Sequence, residues 1–135
     1  QGGAFCYAAA ALSYPEYTFT AIAPNVAFLG DYPDYFRIVS WPGDTAKANK
    51  GSMTDEEMYA FLSYYNTKNL ATRISAAVLA SSGLQDGTCP PHTNFAPFNN
   101  LSNPDKEMVI DPTMGHSFPA GWTTKYEKFF RERTK

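Results

Sequence analysis

The stretch Ile74-Ser-Ala-Ala-Val-Leu-Ala-Ser81 constrains the fold more than any other part of the sequence. It is apolar and uncharged and does not alternate with polar residues, which is the signature of a strand buried on both faces. Gly83-Leu-Gln-Asp86-Gly87 then closes it as a tight loop. A strand covered on both sides needs a helix layer above and below it. The rest of the chain has to supply those layers.

An Ala-rich segment from Gly3 to Ser13, stopped by Pro15, predicts a helix able to approach a sheet closely. Tyr17-Thr-Phe-Thr-Ala-Ile-Ala23 is rich in β-branched and aromatic residues and predicts a strand ending at Pro24-Asn25. Between Val26 and Gly51 the residues Gly30, Pro33, Pro42 and Gly43 predict a loop-rich excursion with one short helix near Tyr35–Ser40. Thr54 and Glu57 match a capping box, and Met58, Phe61, Leu62 and Tyr65 follow at helical spacing. A second short helix is expected near Lys68–Arg73.

Beyond the buried strand, Pro91–Leu101 predicts a helix with proline in its first turn. Ser102–Asp105 reads as a turn, Lys106–Asp111 as a third strand and Pro112–Pro119 as a loop. The last element, Gly121–Arg133, is an amphipathic helix carrying Trp122, Tyr126, Phe129 and Phe130. Strands alternating with helices give an α/β layered sheet. Three strands are too few for an independent doubly wound domain.

Composition excludes two classes of partner. The net charge is −2 and basic residues gather only in the short tail Lys125–Lys135, so nucleic acid has no electrostatic footprint to bind. No apolar run reaches the roughly 18 residues of a membrane span, so no membrane partner is expected. Two cysteines, Cys6 and Cys89, give no disulfide framework. Cys6 falls on the apolar face of the first helix and is expected to be a small core residue. Aromatics make up 16% of the chain, a level that suits a large core, a subunit interface or a sugar-binding cleft.

The chemistry gathers at strand ends. Ligands of open α/β sheets bind beyond the carboxyl ends of the strands. Asp86 follows the buried strand there, and His116 follows the third. Gln1-Gly2-Gly3, running straight into the first helix, matches the second half of a Gly-x-Ser-x-Gly nucleophile elbow, whose triad partners follow in the order acid, then histidine. A Rossmann reading would need Gly-x-Gly-x-x-Gly, which Phe5 and Cys6 break.

These residue types suit the reaction. A serine hydroxyl is a poor nucleophile until an imidazole takes its proton, and a carboxylate fixes that imidazole's tautomer. Taken alone, Asp86 could equally serve its Asp-Gly turn. Asp111, just before Pro112, is a rival acid but is expected to order the histidine loop. His92 has no strand-end position and is expected to be exposed. Cys89-Pro-Pro-His92 lacks a second ligand pair, so no metal is expected.

Several of these segments resemble a known family. They are Gln1-Gly2-Gly3 before an Ala-rich helix, Gly83-Leu-Gln-Asp86 with Cys89-Pro90-Pro91, and Phe95-Ala96-x-Phe98-Asn99. Leu62-Ser-Tyr-Tyr-Asn66 with Asn69-Leu-Ala, and the histidine loop ahead of a last helix, complete the set. Together they resemble the acetyl xylan esterase / cephalosporin C deacetylase family, carbohydrate esterase family 7, over essentially the whole chain.

The resemblance implies the C-terminal part of an α/β-hydrolase fold, residues 1–135 being part of one domain with 26–73 as a loop and helix excursion over the active site. It implies Asp86 as triad acid, His116 as triad base, and an oxyanion hole shared by the N–H of Gln1 and a tyrosine of the N-terminal half. The nucleophilic serine would directly precede Gln1. Substrates would be acetylated xylo-oligosaccharides and cephalosporin C, hydrolysed without cofactor or metal, often in a hexamer. One departure stands out: the family often has His-Glu-Gly-Gly around the base, whereas this chain has His116-Ser-Phe-Pro.

The competing readings are another α/β-hydrolase of peptidase or dienelactone hydrolase type, or an inactive fragment. Without serine and half of the oxyanion hole, these 135 residues by themselves are predicted to release no acetate from acetyl esters, a result that an assay of the purified chain checks directly.

Overall fold

The computed structural model describes residues 1–13 and 15–134; Tyr14 and Lys135, the end of the basic tail, lie outside the described residues. Its framework is a three-stranded parallel sheet of order β1 (Ala21–Ile22), β2 (Ala77–Gly83), β3 (Lys106–Asp111). β2 is buried along its entire length, as its unbroken apolar run requires. It begins at Ala77, with Ile74 and Ala76 buried just before it.

Alternate side chains of β2 serve two separate layers, because successive residues of a strand point to opposite faces. Val78 and Ala80 pack with Tyr7, Ala10 and Ala11 of helix α1 (Gly2–Leu12) and with Leu70, Ile74 and Leu101. Ala77 and Leu79 pack on the other face against Trp122 and Phe129 of the last helix, α7 (Trp122–Arg133). Small residues on one face of α1 let it lie close to the sheet.

Two expectations need correcting. The strand expected over Tyr17–Ala23 pairs only at Ala21–Ile22, with an isolated bridge from Asn25 to Ser81. Tyr17 and Phe19 are exposed, so the β-propensity of that stretch has no packing to support it. The excursion, in turn, is mostly helical. It contains α2 (Tyr32–Ile38) and α3 (Ser40–Ala48), the latter interrupted at Trp41. Pro33 and Pro42 lie near the starts of these helices, where the missing proline N–H deprives no intrahelical bond.

Helix α4 (Asp55–Leu62) starts at the expected capping box: Thr54 Oγ1 accepts from Glu57 N at 3.1 Å, and Glu57 Oε2 accepts from Thr54 N at 2.7 Å. A short turn, α5 (Thr67–Leu70), runs on through Ala71–Arg73. Helix α6 (Pro91–Asn99) carries proline in its first turn.

Phe28, Tyr32, Tyr35 and Phe36 form a second, aromatic core with Ala4 and Cys89, against which Tyr59 and Leu62 also pack. Edge-on ring contacts such as Phe28–Tyr35 at 5.7 Å add to area burial there. This cluster joins the excursion to the loop after β2.

The fully buried Leu79 packs, with Ala77, between β2 and α7. Leu79→Ala is expected to destabilise the fold by about 2–5 kcal/mol, measured by urea unfolding. Thr54→Ala should cost about 1 kcal/mol through loss of the cap.

Candidate active site

Asp86 sits in the loop after β2 with its side chain fully buried. A buried carboxylate is costly unless its lone pairs are met, and here they are. Oδ1 accepts from the backbone N–H of Thr88 and of Cys89, both at 2.8 Å. Oδ2 lies 2.9 Å from Nδ1 of His116. The two residues singled out in the sequence, 30 positions apart, are therefore in direct contact.

With an ionised Asp86, that pairing makes Nδ1 the protonated nitrogen and leaves Nε2 as the basic one. The imidazole is 42% exposed and lines a cleft of about 440 Å³ together with Gln1, Gly2 and Gly3 at the start of α1. Strand ends, helix start and histidine thus meet around one cavity.

The local sequence explains how the two loops lock together. Asp111 Oδ1 accepts from Thr113 N, Thr113 Oγ1 and Met114 N, so it orders the turn after β3 as expected and does not reach the histidine ring. Those bonds hold its carboxyl below the usual carboxylate range, the Thr113 N–H contributing most. Leu84 N donates to Asp111 O and Gln85 N to Met114 O, which ties the aspartate loop to the histidine loop. Gly83 makes the approach possible: a Cβ there would meet Met114 O at 2.3 Å and Gly115 O at 2.7 Å.

Asp86 and Cys89 are both buried. Burial, and then the neighbouring Asp86 charge, push the Cys89 thiol up to about 11. Tyr35 is buried, donates its hydroxyl to Thr88 O at 3.0 Å, and is likewise pushed up.

Asp86, Cys89 and His116 bring one potential ligand atom each within 4.8 Å of one another. Both oxygens of Asp86 are already engaged, Oδ1 by two backbone N–H groups and Oδ2 by Nδ1 of His116.

Other residues stand differently from expectation. His92 is half-buried rather than exposed, with Nε2 shut off from solvent and its ring 6.4 Å from that of Tyr35. Cys6 is half-exposed and lines the cleft instead of entering the core. Burial raises its thiol as well.

Sequence reasoning missed four residues that line the cleft. Trp122, Tyr126 and Phe130 line the back of the cleft, and their spacing of four along α7 was the available signal. Asn25 lines it too, and nothing in its local sequence marks it.

A family model described as acetyl xylan esterase (AXE1) matches residues 1–133. Acetyl esterase Axe7A of Xylanibacter ruminicola is 32% identical over 126 residues, which is 92% of this chain and 26% of that protein. Acetyl xylan esterase 1 from Thermoanaerobacterium sp. JW/SL YS485 is similar with a TM-score of 0.86 at 29% identity, over 100% of this chain and 44% of that one. The acetyl xylan esterase of Paenibacillus sp. R4 gives 0.84 at 32% identity, over 98% of this chain and 43% of that one. The chain therefore spans about a quarter of the curated relative and less than half of these two solved ones.

The raised groups fix how stability depends on alkali. Cys89 is held up to about 11 and Tyr32 up to about 12, both by burial, against ordinary values of 9.0 and 10.0. A folded-state pKa above the unfolded one contributes stability that is intact below the unfolded value and lost as pH rises through the folded one. Urea midpoints are accordingly expected to hold steady up to about pH 9 and to fall between there and the Tyr32 value of about 12. Cys89 should resist alkylation at neutral pH in the folded protein.

Proposed function

The chain belongs to the acetyl xylan esterase family, and on that footing we propose that the complete protein removes O-acetyl groups from xylo-oligosaccharides. Its sheet is part of an α/β-hydrolase fold. The observation that carries the reading is the Asp86–His116 contact at the carboxyl ends of parallel strands, opening on the same cleft as the first turn of α1. Cephalosporin C is a second acetyl ester in the proposed range.

In the proposed mechanism a serine directly before Gln1 attacks the acetyl carbonyl carbon. Nε2 of His116 takes the hydroxyl proton, and Asp86 steadies the imidazolium through Nδ1. The N–H of Gln1 donates to the developing oxyanion, aided by the positive end of α1. The tetrahedral species collapses, the C–O bond to the sugar breaks, and His116 returns the proton to the departing hydroxyl. Water then attacks the acetyl-serine with its proton going to His116, acetate leaves, and the serine recovers its proton.

The same proposal assigns the rest of the surface. The outer edge of β1 and the apolar back of the cleft, with Cys6, Ala23 and Phe130, suit a seat for the N-terminal half of the domain. Residues 26–73, which reach the cleft at Val26, are assigned the rim over the site. Exposed Phe61, Tyr64 and Tyr65 on that excursion offer apolar surface for assembly of a homo-oligomer.

In the complete enzyme His116→Ala is expected to lower kcat by roughly ten-thousand-fold or more, with Asp86→Ala the milder loss. Turnover should be high on p-nitrophenyl acetate and low on the butyrate and on peptide substrates. Near-normal kcat in Asp86→Ala would transfer the acid role elsewhere, and preference for peptides would sink the deacetylase reading.

A further inference from the structure

Asn25 occupies a position no triad requires. It follows β1 and forms a parallel bridge with Ser81 of β2, and its side chain lines the same cleft as Gln1 and His116. Three elements converge on it. The first turn of α1 presses on its backbone, since a Cβ on Gly3 would meet Asn25 O at 2.5 Å. The buried Ser81 hydroxyl donates to Asn25 Oδ1. Asn25 Nδ2 in turn donates to Ser117 O at 3.3 Å, across 92 positions of sequence.

The orientation of this amide is determined by its partners. Val26 N donates to Ser81 Oγ at 3.4 Å, so the hydroxyl proton is left for Asn25 Oδ1. That sets Nδ2 toward the Ser117 carbonyl. Val26 itself is held at φ 38°, a region a β-branched residue rarely adopts and that persists only under surrounding constraint.

The histidine loop shows why this bond matters. Before His116, the loop is fastened by Asp111 and by Gln85 N to Met114 O. After it, Trp122 N closes on Pro119 O. Among the described residues, the His116–Phe118 stretch is reached from other elements by two hydrogen bonds only: Asp86 to the ring, and Asn25 to Ser117 O. One bond fixes the ring's tautomer, and the other fixes the backbone that carries it.

We infer that Asn25 is a positioning residue, which, packed against the start of α1 at Gly3 and held by Ser81 of β2, ties the histidine loop to both and so sets His116 against the nucleophile and the oxyanion site. The inference rests on the function proposed above and adds a residue to it. Asn25 acts through His116 and touches no reacting atom.

The test uses the complete enzyme with Asn25→Ala, the near-isosteric Asn25→Asp, and Ser81→Ala. Asn25→Asp keeps the acceptor for Ser81 but sets an oxygen against Ser117 O, so it should not rescue. The expected result is a 10- to 100-fold fall in kcat on p-nitrophenyl acetate for Asn25→Ala and Asn25→Asp, with KM within about twofold. Ser81→Ala should fall in the same direction, and the Asn25→Ala/Ser81→Ala double variant should be no worse than Asn25→Ala alone.

A second readout is independent of turnover: the imidazole ¹⁵N signals of His116 should broaden or split in the variants while Tm stays close to wild type. Unchanged kcat with a sharp His116 signal overturns the inference. So does a fall in kcat that only follows the folded fraction. If the wild type hydrolyses no acetyl ester, the deacetylase reading fails by itself, and the His116 signal then decides the role of Asn25. Should Asn25→Ala fail to fold, Asn25→Asp and Ser81→Ala decide it.

Discussion

A carboxylate with no exposed side-chain surface has to be met by donors on every side, and Asp86 imposes that requirement on everything around it. The loop after β2 turns so that two backbone N–H groups face Oδ1. The histidine loop comes close enough to place Nδ1 on Oδ2, and Gly83 is the residue that leaves room for it. Removing the imidazole would leave Oδ2 of the buried carboxylate without its donor, so the aspartate loop and the histidine loop depend on each other. The same low-dielectric surroundings keep Cys89 protonated and make it packing rather than a nucleophile.

That requirement reaches well beyond the loop. Tyr35 in α2 donates to Thr88 O, next to one of the N–H groups that hold Asp86. Thr93 of α6 donates to Ala27 O, at the point where the chain leaves β1 for the excursion. With Cys89 inside the aromatic core of Phe28, Tyr35 and Phe36, the excursion and the aspartate loop are parts of one packed unit. Substitutions in that aromatic core should therefore be felt at the carboxylate.

The sequence made legible what depends on local periodicity and order. A buried strand is visible as an uninterrupted apolar run, and the residues after it are by topology at the ligand-binding edge, so Asp86 and His116 could be singled out 30 positions apart. The capping box of Thr54 and Glu57 was equally readable, because both partners lie within one turn. What failed was whatever tertiary contact decides. Tyr17–Thr20 has the residues of a strand and nothing to pack on, while Pro33 and Pro42 look like breakers and stand near helix starts. Asn25 has no local signature, since its partners Ser81 and Ser117 are 56 and 92 positions away.

The site is therefore graded in rigidity from one member to the next. Asp86 is enclosed, its oxygens matched by fixed backbone donors; His116 stands 42% exposed, between a tethered turn and a buried Pro119. This ordering suits proton transfer. A base that first accepts a proton from one oxygen and then hands it to another must shift by a fraction of an ångström while keeping its tautomer. An immobile carboxylate on Nδ1 preserves the tautomer, and the exposed side of the ring retains the freedom to shift. In the positioning role proposed for Asn25, its bond to Ser117 O would limit how far the loop can carry the ring, because it is made to a carbonyl beside the histidine and not to the imidazole itself. Constraint on the backbone and freedom in the ring are thus supplied by different residues.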